Sequence, residues 1–380
     1  MAVSRRRGAC ALAACLCAVA LGLGGCGSDS AANPAAPAQA TSAQAVGGMD
    51  ALVRQAQAEG QLNTSTLLPH WASYGALMDG FAKKYGIKVV NDNPDGSSQQ
   101  EIDDIKRLRG QPQAPDVLDL GDSFAQAAAR EDLLAPYRTV VYDQIPAAQK
   151  DSKARWVNSY GGYVAIGCDA NRVKTCPVSF NDLLKPEYKG MVALTGEPVT
   201  AGSAFAAVYA AALANGGSFD DIQPGIDFFA RLDKAGNYNH ANASVAAIAG
   251  GQTPIVIEWD FLNLQHADEL KGAGVQWKVS IPFDGSFSQY YAQAVNKYAP
   301  HPAAARLWEE YLASPEGQNL RLVDFARPVL MDAMAKNGTL DTALAARLPT
   351  VEGTPTFPTE AQLAKAHETV RTNWPTAVPD

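Results

Sequence analysis

The feature that most limits what this chain can fold into is a strand–helix alternation that starts at Leu62. Leu62 to Leu68 reads as a strand. Tyr74, Leu77, Met78 and Phe81 then fall at i, i+3, i+4 and i+7, one apolar helical face, and Gly86 ends that helix. Ile87 to Val90 reads as a second strand and Ile102, Ile105 and Leu108 mark a second helix. Asp116 to Leu120 is a short buried strand, followed by a helix from Ser123 to Leu133. This order implies parallel pairing with right-handed crossovers. A second set follows: strands at Tyr163 to Ile166, Met191 to Thr195, Ile255 to Trp259 and Trp277 to Ile281, with helices at Ser203 to Leu213 and Val245 to Ala249. Tyr290 to Val295 is a late return strand, and Ala304, Leu307, Trp308 and Tyr311 mark one more helix face. Two α/β lobes in series predict a cleft between two sheets.

The first residues follow another logic. Arg5-Arg6-Arg7 precede an apolar run, Ala9 to Leu23, that is too short to span a bilayer stably. Leu23-Gly24-Gly25-Cys26 closes it and resembles a bacterial lipobox. That resemblance implies a signal peptide over 1–25, cleavage before Cys26, lipidation of the Cys26 thiol, and an exported protein held at the membrane by lipid. Residues 26–48 are rich in Ala, Pro, Ser and Gly, so a flexible linker is expected there.

About 330 residues remain, enough for two lobes. Lobe 1 is expected at 49–159 plus about 285–312, and lobe 2 at 160–284 plus about 313–380. Cys168 and Cys176 are the cysteines left for the exported chain. A disulfide is the expected pairing in an oxidising compartment, with a metal pair as the alternative. The whole chain carries 31 basic and 39 acidic residues, which argues against nucleic acid as a partner.

Open sheets bind ligands beyond the carboxyl ends of their strands. Trp71 and Tyr74 follow the first strand, Ser98 lies in the loop after the second, and Asp122 follows the third. Thr200 and Ser203, then Glu258, Trp259 and Asp260, follow strands of the second lobe. Tyr290 and Tyr291 lie near the crossover back. Aromatic faces and carboxylates suit an ammonium group. Thr200 to Ser203 precedes an apolar helix, where hydroxyls and backbone N–H groups form either an anion site or an ordinary N-cap.

Several segments, in order, carry a resemblance to a known family. They are Phe81 to Val89, Ala114 to Leu120, Tyr160 to Gly167, Ser179 to Leu184 with Tyr188 to Gly190, and Ser314 to Gln318. Together they resemble the bacterial extracellular solute-binding proteins of ABC importers, in the branch of polyamine, ferric-iron and phosphonate or thiamine binders. The resemblance implies a two-lobed, type II periplasmic-binding-protein fold with parallel-sheet lobes and a ligand cleft between them. It implies delivery of a small solute to a membrane ABC permease. A monomer with no cofactor and no bound metal is expected. The resemblance adds Tyr160 to the ligand-site expectation. Trp259, flanked by acids, and the pair Trp71 and Tyr74 are similar to features of polyamine binders, which points to an organic amine. Tyr290-Tyr291 stand where those binders carry an acid. Iron binders place a tyrosine pair about where Glu258 to Phe261 stand, which argues against iron.

Enzyme chemistry finds little support. Gly121-Asp122-Ser123 resembles the start of the SGNH esterases, which need a late Asp-x-x-His. Asn237, Asn263, Tyr298 and Ala364 stand three residues before His240, His266, His301 and His367, so that pair is missing. No Gly-x-Ser-x-Gly, His-Glu-x-x-His or phosphate loop occurs. A sensor lipoprotein on the same fold is the remaining alternative.

Overall fold

The computed structural model describes residues 36–351 and 356–379. Its strands are β1 Gln61–Ser65, β2 Lys88–Asp92, β3 Val117–Gly121, β4 Leu134–Ala135, β5 Val157–Asp169, β6 Val192–Leu194, β7 Ile255–Trp259, β8 Trp277–Ser280, β9 Ser288–Asn296 and β10 Arg327–Pro328. Its helices begin with α1 Met49–Glu59, α2 Tyr74–Tyr85, α3 Ser98–Arg107, α4 Asp122–Arg130, α5 Gly202–Ala214, α6 Gln223–Lys234 and α7 Val245–Ala249. They continue with α8 Asp260–Glu269, α9 Pro302–Ala313, α10 Pro315–Val323, α11 Met331–Asn337, α12 Thr342–Ala345 and α13 Glu360–Ala377.

The molecule is a two-lobed mixed α/β fold, and its sheet is less parallel than the sequence predicts. β1 pairs with β2 and β6 with β7 in parallel. The main sheet, in the order β3-β9-β5-β7-β6, is otherwise antiparallel. The reason lies in β5. It is one strand of 13 residues, buried at every position, that runs through both halves of the sheet. Its first half pairs with the return strand β9, and its second half pairs with β7 and β8. Gly161 and Gly162 look like strand breakers in the sequence. In place they let β5 pass close to its neighbours: a Cβ at Gly161 would lie 2.3 Å from Gln289 O, and one at Gly162 2.4 Å from Asp260 Oδ1.

The linker expected to run to Gly48 is packed from Pro37 onward. Ala40, Ala43 and Val46 are fully buried, and Arg306 of α9 donates to Ala40 O at 2.7 Å and to Ala38 O at 3.0 Å. Small side chains that look too weak to pack fit closely where one buried guanidinium satisfies their carbonyls. Cys26 and the segment before it lie outside the described residues. Cys168 and Cys176 are joined by a disulfide with Cα atoms 5.8 Å apart, and they are not a metal pair. No helix among the described residues is long and apolar enough to cross a membrane.

Helix α13 packs its Leu363, Ala366, Val370 and Trp374 face inward. Trp374 meets Phe229 of α6 edge-on at 5.4 Å, and Asn373 donates to Gln223 Oε1 at 2.7 Å. The same helix also touches α4.

Candidate functional site

Three helices begin at one cavity of about 410 Å3. That size suits a small organic solute, for which sites run about 300–1,000 Å3. Ser97, Ser98 and Gln99 line it at the start of α3, Gly121 and Ser123 at the start of α4, and Thr200, Ala201 and Gly202 at the start of α5. α3 is capped by its own sequence: Gln100 N donates to Ser97 Oγ, and Ser97 N donates to Gln100 Oε1. α4 and α5 are not. Their N-cap residues are Gly121 and Ala201, and neither has a side-chain cap. The first N–H groups of a helix have no intrahelical acceptor, and they carry the positive end of its dipole. Ser203 Oγ and Asp122 Oδ1, both in these first turns, are buried with no hydrogen-bond partner among the described residues. Among the described residues, no lysine or arginine lines the cavity.

Trp71, Phe124, Phe205 and Tyr291 supply apolar wall. Trp71 meets Tyr291 edge-on at 5.5 Å and donates its indole N–H to Tyr160 Oη at 2.7 Å. Tyr160 donates in turn to Asp119 Oδ2 at 2.7 Å, and its ring stacks on Tyr291 at 5.3 Å. Asp119 and Glu101 are the buried acids of the wall. Burial pushes Asp119 up to about 6 and Glu101 upward as well. Glu101 Oε2 is already used, accepting Asp119 N at 2.9 Å. The loop after β1 is held in unusual backbone: Thr66, Ala72 and Ser73 have φ of 57°, 46° and 64°, in the left-handed region.

Of the twelve residues that the sequence nominates, Trp71, Ser98, Thr200 and Tyr291 line the cavity. Tyr74 and Tyr160 form the layer beneath, with the Arg321 guanidinium 4.2 Å from each ring. Asp122 and Ser203 sit in the first turns just described. Four residues serve the core instead. Glu258 is paired with His266 at 2.9 Å and accepts from Thr195. Trp259 is buried and stacks parallel to Phe261. Asp260 accepts from Tyr163 N and Phe261 N and pairs with Arg327 at 3.4 Å. Tyr290 is buried and packs on Phe357. The reason is local: α8 begins at Asp260 with no loop after β7, so the carboxylate satisfies amides and Arg327 rather than a ligand. The sequence reading missed Glu101, Asp119, Phe205 and His367. Glu101 and Phe205 lie in the first turns of α3 and α5, and Asp119 lies within β3. His367 arrives from the far end of the chain, and no local signal marks it.

The family described as bacterial extracellular solute-binding protein matches residues 113–348. Comparison with curated protein sequences finds no match. Among solved structures, iron-bound HitA from Pseudomonas aeruginosa is 19% identical with a TM-score of 0.60, covering 84% of this chain and 99% of its own. AfuA from Actinobacillus pleuropneumoniae, with exogenous fructose-6-phosphate bound, is 19% identical with a TM-score of 0.61, covering 84% of this chain and 98% of its own. The Atu4243-GABA receptor is 18% identical with a TM-score of 0.63, covering 84% and 98%. At such identities the likeness concerns the fold.

Proposed function

We propose that this chain, which belongs to the bacterial extracellular solute-binding protein family, captures a small organic solute by its anionic group and hands it to an ABC permease. The observation that carries this reading is the pair of helices α4 and α5, which start at the cavity with no side-chain cap. A phosphate or carboxylate seated there completes both helix ends and needs no basic side chain. The aromatic wall covers the rest of the solute. AfuA is described with fructose-6-phosphate bound, and Atu4243 as a GABA receptor, whose solute carries a carboxylate beside its ammonium, both on the same fold.

A polyamine fits less well. Of the acids expected to hold it, Asp122, Glu258 and Asp260, the last two are committed to His266 and Arg327. Ferric iron gains no support from the donor set. Only Tyr291 of the nominated tyrosines lines the cavity, and no group of three His, Cys, Asp or Glu among the described residues could hold a metal.

We place the protein outside the cytoplasm as a monomer, anchored by lipid on Cys26. Cys26→Ser is expected to release it from the membrane fraction or leave the signal uncut, and unchanged fractionation with normal processing would contradict the anchor. For the solute, thermal melting against phosphate esters, carboxylates, amino acids and polyamines is the test. A ligand of the folded state adds about 2.7 kcal/mol at a hundredfold excess over Kd. Stabilisation by anionic solutes is expected. Stabilisation by polyamines alone would contradict the reading.

A further inference from the structure

We infer that His367, on the C-terminal helix, is a solute contact and sets specificity at the anion seat. The inference rests on the cavity being the solute site. Three observations point to it. His367 lines the cavity, although it lies beyond residues 113–348 that match the family. Its ring lies flat on Phe205 of α5, centroids 3.7 Å apart and planes 7° from parallel. Its Nε2 stands 3.3 Å from Ser123 Oγ, in the first turn of α4. One imidazole therefore reaches both uncapped helices, and it is fixed by stacking rather than left to rotate.

The helix beneath holds that position. α13 is anchored on the second lobe by Trp374 against Phe229 and by Lys365 Nζ, which donates to Asp220 O at 2.7 Å. Ser123 belongs to the first lobe, so the His367–Ser123 contact crosses the cleft. Burial lowers the pKa of His367 to about 4, which makes the ring neutral in ordinary buffers. A neutral imidazole has one N–H donor and one acceptor. With the proton on Nε2 it donates to whichever oxygen is nearest: Ser123 Oγ in the empty cavity, and a solute oxygen when an anion occupies the start of α4. It adds a directed hydrogen bond without adding charge, which favours a solute whose oxygens match that direction over a bare ion of equal charge.

Isothermal titration of the full chain tests this, using inorganic phosphate, fructose 6-phosphate, acetate and 4-aminobutanoate as probes in a buffer free of all four. The wild type, His367→Ala, His367→Gln and Ser123→Ala are compared, each with its melting curve. For the probe that binds best, His367→Ala is expected to weaken affinity tenfold or more. His367→Gln, whose amide can donate from a similar position, is expected to recover most of it. In wild-type protein the His367 ring nitrogen resonances are expected to shift on titration, a change that a purely structural role would not produce. Equal affinity for the wild type, His367→Ala and His367→Gln, or His367 resonances that stay put while a probe binds, overturns the inference and leaves the proposed function standing. Binding of none of the four probes to wild type overturns both.

Discussion

Asp260 lies fully buried between Arg327 and two backbone amides, and those neighbours set what its removal does. Breaking a buried ion pair by deleting one partner costs about 3–5 kcal/mol, because the other charge is stranded. Asp260→Ala is therefore expected to lower unfolding free energy in urea by that order, while the folded protein keeps its solute affinity. A stable variant that no longer binds would put Asp260 back in the site. Asp122 is a different case. Burial pushes its carboxyl up to about 7. A carboxyl raised above its unfolded value stays protonated in the fold, and that contribution is complete below about pH 4 and lost as pH rises through about 7. Each unit of difference is worth about 1.4 kcal/mol, partly offset here because the α4 N-terminus favours the charged form. Relative to Asp122→Asn, the wild type is expected to lose stability between pH 5 and pH 8.5, by roughly 1–3 kcal/mol in denaturant titrations. Parallel pH profiles would contradict the burial argument.

At the scale of elements, α5 carries the clearest test. Ala201 occupies a position where Asp, Ser or Asn normally accepts the first N–H groups. Ala201→Asp would bring its own anion. It is expected to raise stability by about 0.5–2 kcal/mol in urea unfolding. No gain would mean that the first turn of α5 is already satisfied. Elements were also what the sequence conveyed best. β7 runs over the residues expected of it, and α2 and α5 start within a residue of expectation, because apolar periodicity and glycine stops mark them. β5 was legible only in its middle, since Gly161-Gly162 signals a break unless the neighbouring backbone is known. The N-terminal turns were illegible, because Arg306, 266 residues beyond Ala40, is what satisfies the buried Ala40 carbonyl. Part of the site followed the same division. Trp71, Ser98 and Thr200 lie in the segments that follow β1, β2 and β6, where topology directs attention, and Tyr291 lies within β9. His367 depends on how α13 lies across the fold.

Across the whole molecule, the proposed anion seat draws on distant segments: α3 and α4 precede β5 in the chain, and α5 follows it. A solute seated at the starts of α4 and α5 would touch both segments at once. The absence of lysine and arginine from the lining makes this arrangement testable in a single comparison. Isothermal titration of wild type and Ala201→Asp with fructose 6-phosphate, 4-aminobutanoate and spermidine reads it directly. An anionic group seated at the helix ends requires that fructose 6-phosphate or 4-aminobutanoate bind to wild type and lose tenfold or more in Ala201→Asp. Spermidine binding alone, unchanged or tighter in Ala201→Asp, would contradict it.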